Sequence, residues 1–147
     1  MGPVVHYADL VECLPYDDAV YLLRVTGAQL ERMLRHILRE DAFRDGDHTE
    51  FYQFSHGMRM VWERGAQRFR ELSLDGEPLH ADRLYSVAMQ KYHYNNLEPF
   101  LNITLEEAEK NGKSRVLTTS LIAVVEEYLS THPHLNRQVE GRLVVEP

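Results

Sequence analysis

Eight histidines stand in this 147-residue chain, and imidazole is the side chain best suited to bind a metal or move a proton near neutral pH. His6, His36, His48, His56, His80 and His93 are scattered; only His132 and His134 fall close together, in "THPHL". A pair at i, i+2 can ligate a metal. No acidic or cysteine cluster accompanies this one, however, and imidazole after a helix-like run suits the negative pole of the helix dipole. Ser55 has His56 beside it, but adjacency in sequence does not make a nucleophile–base pair. Glu106, Glu107 and Glu109 open a short helix, where negative charge is favourable without any catalytic role. No H-E-x-x-H, P-loop, G-x-S-x-G or dinucleotide fingerprint occurs. The remaining chemistry-bearing residues are tyrosines on loops: Tyr16 after Pro15 in "LPYDD", and Tyr92 with Tyr94 in "KYHYNN". Such rings break no bonds; Tyr16 reads either as an ordinary loop corner or as a ring presented to something outside the core. Tyr92 and Tyr94 alternate with His93, so one of the two is expected to face inward. Asp17 and Asp18 read as solvated turn residues.

The elements that must position these rings follow from hydrophobic patterning. "DAVYLLRV" (Asp18 to Val25) reads as a strand, and Thr26 with Gln29 forms a capping box for the helix after it. Leu30, Met33, Leu34, Ile37 and Leu38 recur at helical spacing and predict its buried face. "RDGDHTE" (Arg44 to Glu50) is a polar loop, and "FYQFSHGMRMVWE" predicts strands broken at Ser55–Gly57. "RFRELSL" and "LYSVAMQ" are strands joined by the turn "DGEPL", and "KYHYNNLEPFLN" is an irregular aromatic loop. A short helix follows, capped by Thr104 and Glu107 and stopped at Gly112. "TTSLIAVVEEYLSTHP" is a second long helix with Leu121, Val124, Val125, Tyr128 and Leu129 as its buried stripe, and "GRLVVEP" is a closing strand. Strands and helices in this order predict one α+β domain over residues 1–147, a mixed sheet flanked by helices.

Composition sets limits on function. A chain of this length buries roughly 68–70% of its unfolded surface, enough for a core, and 44% hydrophobic with 27% charged residues is ordinary globular composition. A net charge of −7 argues against a nucleic-acid partner, which would require a basic stripe. Cys13 is the single cysteine, so neither an intrachain disulfide nor a cysteine zinc site is available. No apolar run approaches a membrane span, and "MGPVVHYADL" has neither the basic nor the apolar region of a signal peptide. Its "PVVHY" reads as strand-like, as if the chain had been cut from within a longer protein.

Four segments in order resemble the C-terminal domain of the 5'-nucleotidase family. "YADLVECLPYDDAVYLLRVTGAQLERML" is similar to that family's Leu-Pro-Phe, strand, Thr-Gly and amphipathic helix. "FYQFSHGMRMVW" is similar to its F-x-Q-x-S-G strand, "LSLDGEPLHADRLYSVAMQKY" to its strand–turn–strand, and "VEGRLVVEP" to its closing strand. The resemblance runs from about Tyr7 to Val145. It implies that Tyr16 and Tyr92 clamp a nucleobase and that Glu98 contacts the ribose hydroxyls. It also implies that catalysis and two divalent metal ions belong to an N-terminal metallophosphoesterase domain. This domain itself would then hold no catalytic residue, metal or cofactor, and would act as the nucleotide- or nucleoside-recognition half of a phosphoester hydrolase, inactive alone. The family is often exported. Three departures stand out: Asn96 and Leu97 replace two family glycines and Glu98 replaces an aspartate, with Pro99 following; His56 is inserted between serine and glycine; and the Asn-Gly-Gly-Gly-x-Arg segment would lie upstream of Met1. The changed "NNLEP" loop leaves a second expectation, a non-catalytic interaction module whose ligand is not a nucleoside.

Overall fold

The strands divide between two sheets. A computed structural model describes residues 4–43 and 52–147. The expected 44–50 loop, His48 and Phe51 lie outside the described residues. In chain order the elements are α1 (Tyr7–Cys13), β1 (Val20–Thr26), α2 (Gly27–Ile37), β2 (Met58–Glu63), β3 (Arg68–Leu74), β4 (Glu77–Pro78) and β5 (Leu84–Gln90). They continue with α3 (Lys91–Asn95), α4 (Leu97–Leu101), α5 (Leu105–Glu109), β6 (Arg115–Thr118), α6 (Leu121–Thr131) and β7 (Leu143–Glu146). One sheet has the order β5-β1-β6 and is antiparallel throughout. The other has the order β4-β3-β2-β7, and its β2–β7 pair is parallel. The α+β class with mixed strand pairing is therefore as the sequence predicts.

Helix α2 links the two sheets. The Thr26 hydroxyl accepts from the Gln29 amide, and the Gln29 side chain accepts from the Thr26 amide, so the helix begins where the capping box places it. Met33 and Leu34 of α2 and the following Leu38 are buried. Met33 packs with Leu23 and Val25 of β1 and with Leu97, Leu101, Ile103 and Ala108 in one core cluster. On the other side, the Arg35 guanidinium lies 6.0 Å from the Trp62 ring and 5.8 Å from Phe69, carrying α2 over the four-stranded sheet. Gly27 is required at the start of α2, because a Cβ there would stand 2.1 Å from the His80 carbonyl oxygen. The backbone amides of Gly27 and Ala28 donate to the carbonyls of Arg83 and Ala81, tying this helix start to the turn before β5.

Several expectations are corrected. "PVVHY" is not a strand among the described residues. Helix α1 starts at Tyr7 instead, with the His6 amide donating to the Asp9 carboxylate at 2.7 Å. Residues 52–57 form no strand, so only the second half of "FYQFSHGMRMVWE" pairs. The aromatic loop is two short helices, α3 and α4. The residues before α6 form an additional strand, β6, which the patterning does not predict. In α6 the buried residue is Ile122, while Val124 and Tyr128 are exposed, because α6 borders the domain rather than crossing its core. The Thr104 hydroxyl caps α5 by accepting from the Glu107 amide. The Glu107 carboxylate does not return to complete the box; it pairs with Arg32 of α2 at 2.5 Å.

Candidate substrate-recognition site

Tyr16 sits at the corner between α1 and β1. Proline disfavours helical geometry in the residue before it, and α1 accordingly gives way at Leu14, in a non-helical conformation ahead of Pro15. The ring of Tyr16 is 80% exposed. Its backbone is well held. The Asp18 amide donates to the Tyr16 carbonyl at 3.0 Å, the Leu121 amide donates to the Asp18 carbonyl at 3.2 Å, and the Lys91 amide donates to the Ala19 carbonyl at 2.8 Å.

That last bond places the second tyrosine. Strand β1 pairs with β5 from Val20 opposite Gln90 to Thr26 opposite Leu84. Tyr16, just before β1, and Tyr92, just after β5, therefore leave the same end of the three-stranded sheet. Tyr92 lies in α3, 49% exposed, with Phe100 at 5.5 Å and His93 at 5.6 Å between ring centroids. Tyr94 is the inward ring of the pair. It stacks on Tyr21 of β1 at 4.1 Å with planes 14° apart, and its hydroxyl lies 2.8 Å from Ser114 Oγ. The Ser114 hydroxyl donates to Glu109 at 2.7 Å, and Lys113 donates to the other oxygen of the same carboxylate. These bonds, Lys113 first and Ser114 next, hold the Glu109 carboxyl down to about 2 from its ordinary 4.5.

Glu98 is exposed in the first turn of α4, and its carboxylate has no partner among the described residues. The residues around it explain the departure from the glycine-containing loop. Leu97 and Leu101 are both 4% exposed within the core cluster, so Leu97 supplies packing where a glycine would supply none. Pro99 falls in the first helical turn, where its missing amide costs little. Its carbonyl lies 3.0 Å from His36 Nε2 of α2. Asn102, at φ 52°, ends the helix in the left-handed conformation that asparagine tolerates.

Sequence reasoning missed the part played by Asp17. It is exposed, yet its carboxylate is engaged: the Ser120 hydroxyl donates to its two oxygens at 2.9 and 2.8 Å, and the Ile122 amide donates at 3.0 Å. The Ile122 amide above all, then Ser120, lowers the Asp17 carboxyl below its ordinary value. Ser120 is a helix-capping residue type, but its partner lies 103 residues away in sequence.

The other candidates resolve into structural contacts. His132 Nδ1 lies 2.9 Å from the Tyr128 carbonyl oxygen, and its ring stacks on Tyr128 at 4.1 Å, closing the end of α6. His56 lies 3.0 Å from Glu140 rather than serving Ser55. Among the described residues, no three His, Cys, Asp or Glu side chains form a group able to hold a metal. No described helix is long and apolar enough to cross a membrane. A cavity of about 650 Å³ opens between α2, β5 and residues 52–55. It is bounded by Leu30, Met33, Ile37, Val87 and Met89, and Tyr16, Tyr92 and Glu98 do not line it. Tyr52, Gln53, Ser86, Gln90 and His93 add polar groups to its lining.

In this α+β domain Tyr16 and Tyr92 are exposed, and Glu98 has no partner among the described residues. Residues 2–102 match the family described as "5'-nucleotidase, C-terminal domain", and the chain belongs to that family. Among solved structures, it is similar to the 5'-nucleotidase precursor of Thermus thermophilus, with 18% identity and a TM-score of 0.75; the match covers 97% of this chain and 28% of that one. It is also similar to the NAD nucleotidase of Haemophilus influenzae, with 15% identity and a TM-score of 0.78; here 97% of this chain and 27% of that one are covered. These identities establish a shared fold. The chain thus spans little more than a quarter of the length of the structures it resembles. No curated protein matches it in sequence.

Proposed function

We propose that this domain is the nucleoside-recognition unit of a longer 5'-nucleotidase-type phosphoester hydrolase. Tyr16 and Tyr92 stack the base from either side, and Glu98 accepts hydrogen bonds from the ribose hydroxyls. The observation that carries the reading is the shared origin of the two rings, joined by the Lys91 amide to the Ala19 carbonyl. Tyrosine adds a polar hydroxyl to each stacking face. Two divalent metal ions, and the water they activate, would belong to an N-terminal metallophosphoesterase domain. This chain's own residues would hold and orient the nucleotide and would move no proton.

Base–aromatic stacking is worth about 1–3 kcal/mol per base. Titrating adenosine and uridine while following tyrosine fluorescence should give weak saturable binding. Tyr16→Ala and Tyr92→Ala should each weaken it about 5- to 150-fold with little change in melting temperature. The 147-residue chain should release no phosphate from nucleotides, with or without added divalent metal. Phosphate release by this chain would sink the division of labour.

The burial of Leu97 favours a second reading, a module whose ligand is not a nucleoside, because the glycine-lined approach to a ribose has become core. An unchanged tyrosine signal with both nucleosides, alongside tight binding of a metallophosphoesterase domain, would support that alternative.

A further inference from the structure

We propose that Asp17 is a positioning residue for Tyr16, fixing that ring by anchoring the corner to the first turn of α6. This rests on the clamp reading for its functional meaning, though not for its geometry. The Tyr16 ring has no aromatic neighbour among the described residues and is largely exposed. Packing therefore does not set its direction, and the backbone on either side must. On one side Pro15 restricts φ. On the other, every hydrogen bond that fixes the corner to α6 comes from Asp17 or Asp18.

The arrangement is a shared cap. The first amides of a helix have no partner within it. In α6 the Leu121 amide donates to the Asp18 carbonyl, the Ile122 amide to the Asp17 carboxylate and the Ala123 amide to the Ser120 hydroxyl. Two of these three acceptors belong to the Tyr16 corner. The Ser120 hydroxyl, itself donating to Asp17, locks the helix's own cap to the same carboxylate. A carboxylate facing helix amides is favoured further by the positive end of the helix dipole. Because Tyr16 is the residue next to Asp17, a change in this cap moves the ring's attachment point directly. The companion ring has a different support: Tyr92 rides on α3, between the Lys91–Ala19 bond and the Tyr94 anchor.

The test separates positioning from mere stability. Asp17→Ala should weaken adenosine binding about five- to tenfold, the scale expected when a recognition side chain must be ordered during binding. Asp17→Asn, which keeps an acceptor for the Ile122 amide, should recover part of that loss. In a Tyr16→Ala background, Asp17→Ala should change the affinity no further. A purely structural Asp17 would lower the affinity equally in both backgrounds. Independently of any ligand, the backbone order parameter at Tyr16, measured by NMR relaxation, should fall from about 0.85 toward 0.6 in Asp17→Ala. If Asp17→Ala does not fold, Ser120→Ala, which removes one donor to the same carboxylate, serves for the same measurements. An unchanged order parameter in a folded variant overturns the proposal. A lowered order parameter in a protein that binds no nucleoside leaves the positioning intact and overturns the clamp instead.

Discussion

In the four-stranded sheet, β2 buries Met60, Val61 and Trp62 in succession, so both of its faces are covered. The surrounding surface is closed by charge pairs: Arg59 with Glu71, Arg68 with Glu63, and Arg70 with Glu146. The three-stranded sheet is arranged differently. One of its faces packs Leu23 and Val25 against α2, while its strands run out at one end into Tyr16 and Tyr92, and Glu98 is unpaired among the described residues. The three-stranded sheet also borders matched pairs, Arg32 with Glu107 and Lys113 with Glu109, but Glu98 has no partner among the described residues. Matched surface pairs contribute at most about 1 kcal/mol each.

Truncation gives the sharpest way to break this contrast. Trp62→Ala, at a residue only 1% exposed, should cost about 3–5 kcal/mol in urea denaturation. The Tyr92 truncation at the other sheet should leave the unfolding midpoint nearly unchanged. Equal losses at the two positions would mean that Tyr92 is core and the comparison is wrong. Next in size, Leu97→Ala should cost about 2–5 kcal/mol, because Leu97 belongs to the cluster built on Leu23 and Val25. A loss below about 0.5 kcal/mol would show that this segment is still a loop in practice.

The smallest effect is a response to acid. Glu109, beside the Tyr94 anchor, and Glu140, held chiefly by Arg142 and then by His56, both titrate at about 2 in the folded protein against an ordinary 4.5. A carboxyl with a lowered folded pKa stabilises fully above its unfolded value and loses that contribution as pH falls through the folded one. Stability should therefore decline between about pH 4.5 and pH 2. Glu109→Gln should flatten the part of that decline belonging to the Tyr94 side. An unchanged pH profile in that variant would separate Glu109 from folding altogether.

Much of the scaffold was legible because it depends on local chemistry. The Thr26–Gln29 box located α2, and β3 and β5 occupy the residues read as strands. Elements whose stability comes from distant partners were not legible. Strand β6 is a short edge strand carrying Arg115, and only its pairing with β1 defines it. Val4 and Val5 suggested a strand, but helix α1 begins two residues later. The stripe on α6 had the right period but the wrong neighbours: Val124 and Tyr128 remain exposed. Within the site, Tyr16 and Tyr92 stood out as aromatics on punctuated segments. Asp17 did not, because nothing near it in sequence reveals that it would cap a helix.

The junction at Thr26 and Gly27 has one more consequence. Strand β1 ends at Thr26 and α2 begins at Gly27, with no loop to absorb a mistake. A slip of one residue in the pairing of β1 would exchange its two faces. It would also turn the following helix by about 100°, swinging its apolar face away from the core. Sheet register and helix orientation are thus geared together, and a misaligned strand is rejected twice, once by each element.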